Sequence, residues 1–315
     1  MMSLPDFKEK QLLFVPANQV KDCKIQFWND NIRLLSEGKA INQVSIHKIF
    51  AIFIIGETSI TTKLIRDCME HGISLFLLKS NFEVYATIGA LAEGNYVLRE
   101  KQYNLKGELD IAKGIVKNKV YSQFQNLYKA KIIKRPIAEY KKACIKIDEV
   151  ANLKELLGTE GYFTKIYFAQ YFKEHKWYKR MPRTKVDPTN LLMDIGYTFL
   201  FNLTDAMLRL YGFDTYKGVY HQLFFQRKSL ACDLMEPLRC LIDRQIVKAY
   251  NLGQIRAKDF KLKNGTYFLP YDCQREYLKL LSEAIWDRKE EVFCYIRDYY
   301  YFVMNGDREM PVFKI

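Results

Sequence analysis

The chain has 315 residues, 49% hydrophobic and 15% aromatic, which excludes a disordered protein and leaves room for two domains with cores of their own. Its longest unbroken apolar run, residues 49–55, is far short of the roughly 20 that cross a bilayer, and MMSLPDFKEKQ has no basic-then-apolar leader. A soluble protein, neither membrane-bound nor secreted, is the expectation.

The net charge of +13 is unevenly spread: residues 1–94 hold 10 Lys and Arg against 10 Asp and Glu, and residues 95–315 hold 39 against 26. A neutral first part joined to a basic second part points to nucleic acid meeting the second alone. Seven cysteines without a CxxC read as reduced thiols of a cytosolic protein.

In chain order, QLLFVP (11–16) reads as the first strand. KIQFWNDNIRLLS (24–36) alternates about an Asn-Asp-Asn turn as a hairpin does, and IFAIFII (49–55) reads as a fully buried strand. TSITTKLIRDCMEHG (58–72) changes period: Ile60, Leu64 and Ile65 fall at helical spacing and Gly72 closes the helix. ISLFLL (73–78) and FEVYATI (82–88) pair as a second hairpin across Lys79, Ser80 and Asn81. The result is a small β domain with one helix, residues 1–91. In ALAEGN (90–95) the charge balance changes, which sets a linker at 92–96.

Helices dominate residues 97–315. A long amphipathic pattern fills 97–134, with Ile115, Val116, Val120, Phe124 and Leu127 inward and Lys113, Lys117 and Lys119 on solvated faces. EVANLKELL (149–157) and TEGYFTKIYFAQYF (159–172) read as two helices split by Gly158, which puts Glu160 on the first turn of the second. LLMDIGYTFLFNLTDAMLRLYG (191–212) ends at Gly212, and DFKLKNGTYFLP (259–270) is a hairpin on Asn264-Gly265. The last helix covers residues 272–299.

The chemistry gathers in HQLFFQRKSLACDLMEPLR (221–239). SLACDLMEPLR otherwise reads as a buried helix, where an unpaired carboxylate costs several kcal/mol. With Ser229 as its cap, Asp233 and Glu236 share one face and repel unless a cation lies between them. Pro237 has no N–H for the carbonyl of Asp233, so a kink is expected beside the acids. His221 is a candidate nitrogen ligand and Glu160 a candidate further carboxylate. Each also has a structural reading, His221 as a hydrogen-bonded core histidine and Glu160 as a first-turn acid on the helix dipole. Such donors suit Mg2+ or Mn2+, and would also hold Zn2+. KEHKWYKRMPRTK (173–185), six Lys and Arg interleaved with Trp177 and Tyr178, reads as a phosphate track with stacking side chains or as a solvated loop.

These segments resemble the CRISPR-associated integrase of spacer acquisition, the family of CRISPR-associated protein one, over nearly the whole chain. The likeness is carried by TSITTKLIRDCMEHGISLFLL, GNYVLREKQY, AKGIVKNKV, LLGTEGYFTKIYF, DPTNLLMDIGY (187–197), GFDTYKGVYH (212–221) and SLACDLMEPLR. It implies an α+β fold, with a β-sandwich-like N-terminal domain used for dimerisation and an α-helical catalytic domain. It implies Glu160, His221 and Glu236 as metal ligands, with Asp233 binding the ion or supporting the site. The implied activity is insertion of short DNA fragments at the leader-side repeat of a CRISPR array, by attack of the incoming 3′-hydroxyl, with Mg2+ or Mn2+. Arg183, Lys185, Arg227 and Lys228 are expected to hold phosphate. The implied partners are DNA, a second copy of the chain and a small ferredoxin-like protein, in a prokaryotic cytoplasm. Two other readings stand beside this one: a metal-dependent nuclease on branched or single-stranded DNA without integration, and a non-catalytic DNA-binding scaffold.

Overall fold

The computed structural model describes residues 2–89, 95–175, 177–306 and 308–315. A short helix, α1 (Leu4–Lys8), opens the chain. There follow β1 (Gln11–Pro16), β2 (Lys24–Trp28), β3 (Asn31–Ser36), β4 (Lys39–Ser45), β5 (Ile49–Ile55), β6 (Ser59–Ile60), α2 (Thr62–Glu70), β7 (Ser74–Leu78) and β8 (Val84–Ile88). Among the described residues these strands make two four-stranded sheets, in the orders β1-β5-β7-β8 and β4-β3-β2-β6. The β2–β3 hairpin turns on Asn29 and Asp30, both at positive φ, as a tight hairpin turn requires.

The unbroken apolar run of β5 has a packing cause. Ile52 and Ile54 enter the core between the two sheets, beside Ile25, Ile32 and Leu64, while Ala51, Phe53 and Ile55 face the helices. With both faces buried, no position along the strand is left for a polar side chain. The Phe14 and Phe53 rings lie 5.0 and 5.5 Å from that of Phe199, so strands and helices share one interior.

The helical part departs from the predicted elements at four places. The pattern over 97–134 is two helices, α3 (Tyr96–Tyr103) and α4 (Glu108–Lys129), because Gly107 adopts φ +72 and restarts the chain. α5 (Pro136–Asp148) was not predicted; it buries only Ala143 and Ile147, a stripe too narrow to announce itself. α6 (Leu153–Tyr171), capped by Asn152, runs straight through Gly158 and joins the two helices expected there. One glycine costs a helix only about 1 kcal/mol, so Glu160 sits mid-helix and the first-turn dipole reading falls. α7 (Pro188–Tyr211) ends as expected at Gly212, φ +92, and starts three residues before the expected 191, where Asp187 caps it.

α8 (Ser229–Met235) passes through a single 3-10 turn, Glu236–Leu238, into α9 (Arg239–Asn251). Ser229 is its first helical residue, with Lys228 in the cap position. A ribbon of β9 (Lys261–Lys263) and β10 (Thr266–Phe268) follows, turning on Asn264 and Gly265, both at positive φ. The helix expected over 272–299 is α10 (Tyr271–Trp286) and α11 (Lys289–Asn305). Of the expected linker, residues 92–94 lie outside the described residues, and α3 begins at Tyr96. All seven cysteines are free, and no described helix is long and apolar enough to cross a membrane.

Candidate active site

α4, α6 and the 3-10 turn converge on one buried ammonium. Lys119 Nζ of α4 donates to Glu160 Oε1 of α6 and, at 2.6 Å, to Glu236 Oε2. Arg239 Nη2 holds the other Glu236 oxygen at 3.0 Å. The reading of Lys119 as a solvated lysine is therefore corrected: it is 8% exposed. The signal was present in the sequence, since Ile111, Ile115 and Lys119 follow one another at four-residue steps along the inward stripe of α4.

These charges stabilise one another. Burial pushes the Glu236 carboxyl up, but Arg239, Lys119 and His221 outweigh it and hold the group down at about 2. Burial likewise disfavours the charged Lys119, and Glu236 and Glu160 outweigh that and raise its pKa. A buried group of this kind is costly to break by removing one member, about 3–5 kcal/mol, because the remaining charge is stranded.

Asp233 plays a different part from Glu236. It accepts the backbone N–H groups of Val219 (2.7 Å), Tyr220 (3.0 Å) and His221 (2.8 Å), and the His221 Nδ1–H at 2.7 Å. Between the two acids lies the His221 ring, with Nε2 4.0 Å from Glu236 Oε1. Nδ1 is taken up by Asp233, which leaves Nε2 as the ring nitrogen facing Glu236. The turn fits this closely, for a Cβ on Gly218 would stand 2.6 Å from Asp233 Oδ2 and 2.8 Å from the Ser229 carbonyl carbon.

Pro237 shapes the turn as expected. The Asp233 carbonyl takes the Glu236 N–H, one residue early, and the chain tightens to 3-10 pitch where Glu236 turns inward.

A second group lies behind the first. Asp243 of α9, fully buried, accepts Tyr197 Oη at 2.5 Å and Tyr167 Oη at 3.0 Å. Burial pushes its carboxyl up to about 6 against those two hydrogen bonds. The Arg239 guanidinium lies over the Tyr197 ring, 4.7 Å from its centre, which ties this group to Glu236. Neither Asp243 nor Arg239 stood out in the sequence: Arg239 closes the SLACDLMEPLR segment, three residues after Glu236, where its charge reads as a solvated helix end, and Asp243 lies beyond it with no motif around it.

Among the described residues, no three His, Cys, Asp or Glu side chains stand close enough to hold an ion as they are, because Lys119 separates the two glutamates. The donor set nevertheless fits a cation. Two carboxylates already share a positive charge, the His221 Nε2 faces one of them, and among the described residues the Tyr220 hydroxyl is buried without a partner where Glu160, Glu236 and Asp233 raise its pKa further above what burial sets.

The basic residues divide. Lys228, expected to hold phosphate, has its Nζ 2.7 Å from the buried Asp205. Arg227 folds back onto the Gln222 carbonyl and the Phe224 ring. In 173–185, Trp177 packs on Phe168 and Phe172 instead of facing solvent, and Arg180 pairs with Asp194 at 2.5 Å. Tyr178 and Arg183 are exposed, Lys185 Nζ reaches the Asn81 carbonyl at 3.2 Å, and Lys176 lies outside the described residues.

Residues 19–283 match the family model described as CRISPR associated protein Cas1. The chain is 29% identical over 283 residues to CRISPR-associated endonuclease Cas1 1 of Thermodesulfovibrio yellowstonii, covering 84% of this chain and 89% of the relative. It is 28% identical over 278 residues to CRISPR-associated endonuclease Cas1 2 of Rhodospirillum rubrum, covering 81% of each. Among solved structures, a CAS1 protein from Thermotoga maritima superposes with a TM-score of 0.83 at 19% identity, over 96% of this chain and 99% of that one. A casposase bound to its integration product gives 0.82 at 19% identity, over 96% and 93%. A chain of a Cas6-RT-Cas1–Cas2 complex gives 0.79 at 24% identity, over 98% of this chain and 36% of that one. At such identities the structural likenesses speak for the fold.

Proposed function

The chain belongs to the family of CRISPR associated protein Cas1, and from that premise we propose that Glu160, His221 and Glu236 hold its catalytic divalent cation, Mg2+ or Mn2+. The protein is an enzyme of CRISPR adaptation, a DNA endonuclease and integrase. Membership of the family implies dependence on a divalent metal ion. One observation carries the assignment of ligands: glutamates from separate elements reach the same buried cation, with the His221 Nε2 facing one of them.

When bound, the ion supplies Lewis-acid stabilisation of a phosphodiester oxygen. Asp233 fixes the His221 ring and the 219–221 backbone, so it supports the site instead of ligating. Lys119 and Arg239 each hold one oxygen of Glu236, which sets the carboxylate plane before substrate arrives. The 3′-hydroxyl of the incoming fragment attacks the repeat phosphodiester. Its oxygen–phosphorus bond forms as the repeat strand's own 3′-oxygen leaves, an exchange that needs no protein nucleophile. Arg183, Lys185 and Arg227 contact phosphate.

The same reading assigns dimerisation to residues 1–91 and chemistry to residues 97–315, with a small ferredoxin-like partner in a prokaryotic cytoplasm. The interior shared by Phe53 and Phe199 favours the two parts moving together.

The test is purified protein with a CRISPR-array plasmid, short duplex DNA and Mg2+ or Mn2+, run beside Glu236→Gln. Joined strands with the parent, lost in the variant, are expected. Strands that are only shortened favour the hydrolytic reading, and unchanged joining by Glu160→Ala and His221→Ala favours the scaffold.

A further inference from the structure

We propose that the loop joining His221 to Ser229 is a nucleobase wedge, in which Leu223, Phe224 and Phe225 stack on bases unpaired beside the reacting phosphodiester. The inference rests on the DNA-joining reading of the site and adds a binding element to it.

The three side chains are 70%, 71% and 83% exposed. A contiguous apolar tip of this kind is costly to leave in water and marks a surface that meets something. Its base is closed. The Gln222 carbonyl accepts from the Arg227 guanidinium and, at 3.1 Å, from the Ser229 hydroxyl, while the Arg227 N–H reaches the Phe224 carbonyl at 3.0 Å. Ser229 itself is buried at the start of α8. A tip held on a fixed base presents its rings at lower entropic cost than a floppy loop would.

Position and charge select the occupant. Phe224 lies three residues after His221, so their α-carbons are within about 11 Å of each other, one or two nucleotides from the candidate site. The Arg227 guanidinium lies over the Phe224 ring, 5.6 Å from its centre, placing a cation beside the apolar faces. Aromatic faces next to a positive charge match a base with its phosphate, and stacking accepts any base because each has a π-face. An unpaired nucleotide also gives the reacting phosphodiester the freedom that a stacked duplex denies it.

The experiment compares the parent, Phe224→Ser/Phe225→Ser and Glu236→Gln on target duplexes that are fully paired or carry two mismatches beside the reacting phosphodiester. The double variant is expected to join paired targets about 10-fold or more slowly, the order of one base–aromatic stack, and mismatched targets within about 3-fold of the parent. DNA with 5-iodouracil at the mismatched positions is expected to photocrosslink to residues 223–225 in both the parent and Glu236→Gln. Equal slowing on both targets, no slowing, or no crosslink overturns the wedge, whatever Glu236→Gln does. A double variant with altered oligomeric state by light scattering and unchanged joining assigns the tip to a protein contact, which also overturns it. A Glu236→Gln protein that joins as fast as the parent sinks the reading of the site and leaves the crosslink result to stand on its own.

Discussion

The Lys119 ammonium lies 2.6 Å from Glu236 and also binds Glu160, so acids from one helix and one turn are neutralised by a side chain from a second helix. The site is thereby assembled and charge-balanced by the protein itself.

Lys119→Met removes that balance and leaves two buried glutamates facing each other. A loss of about 3–5 kcal/mol in urea unfolding is expected, with Mn2+ recovering a larger share of stability than it adds to the parent. A loss below about 1 kcal/mol would show that the ion group is no more than a surface-like pair.

Gly218→Ala drives a methyl group into Asp233 Oδ2 and the Ser229 backbone. Backbone must shift, so about 1–3 kcal/mol is lost, and the His221 ring loses its support. Mn2+ affinity, read by electron paramagnetic resonance, is expected to fall about 10–100-fold, the usual consequence of losing a group that orients a ligand.

Asp243 gives the stability a pH dependence of known sign. Its folded pKa is raised from 3.8 to about 6, so the native state binds the proton more tightly than the unfolded chain. The resulting contribution is present below pH 3.8 and is lost as the pH rises through about 6, amounting to about 3 kcal/mol. Asp243→Asn cannot titrate, so its stability relative to the parent should rise by that order between pH 4 and pH 7 in urea titrations. A pH-independent difference would refute the assignment.

Lys228→Ala and Arg183→Ala should part company. Lys228 neutralises Asp205 inside the protein, so its loss lowers the melting temperature and leaves the salt dependence of DNA binding as it was. Arg183→Ala keeps the melting temperature and reduces the slope of log affinity against log salt by about 1. The reverse pattern would restore Lys228 as a phosphate contact.

Much of this was legible before folding. The hairpins over 24–36 and 259–270, the doubly buried β5, α2 and the C-terminal end of α7 follow from local period and turn chemistry, which act over a few residues. Gly158 misled because glycine weakens a helix without stopping it, whereas Gly107, in the left-handed region, stands at the cap where α4 starts after α3 has ended at Tyr103. Trp177 misled because an aromatic side chain among lysines looks alike whether it stacks on a base or on Phe168 and Phe172.

By itself the sequence determined the α+β class, the family and the residue types of the site, because each is written in short motifs or in the period of apolar residues. Only the tertiary structure decided which cation met which acid. Lys119 stands opposite Glu160 and Glu236, His221 stands on Asp233, and Lys228 is drawn inward to Asp205. Those pairings join residues far apart along the chain. Burial fixes them, since a charge removed from water must find its partner wherever the packing of helices brings one near.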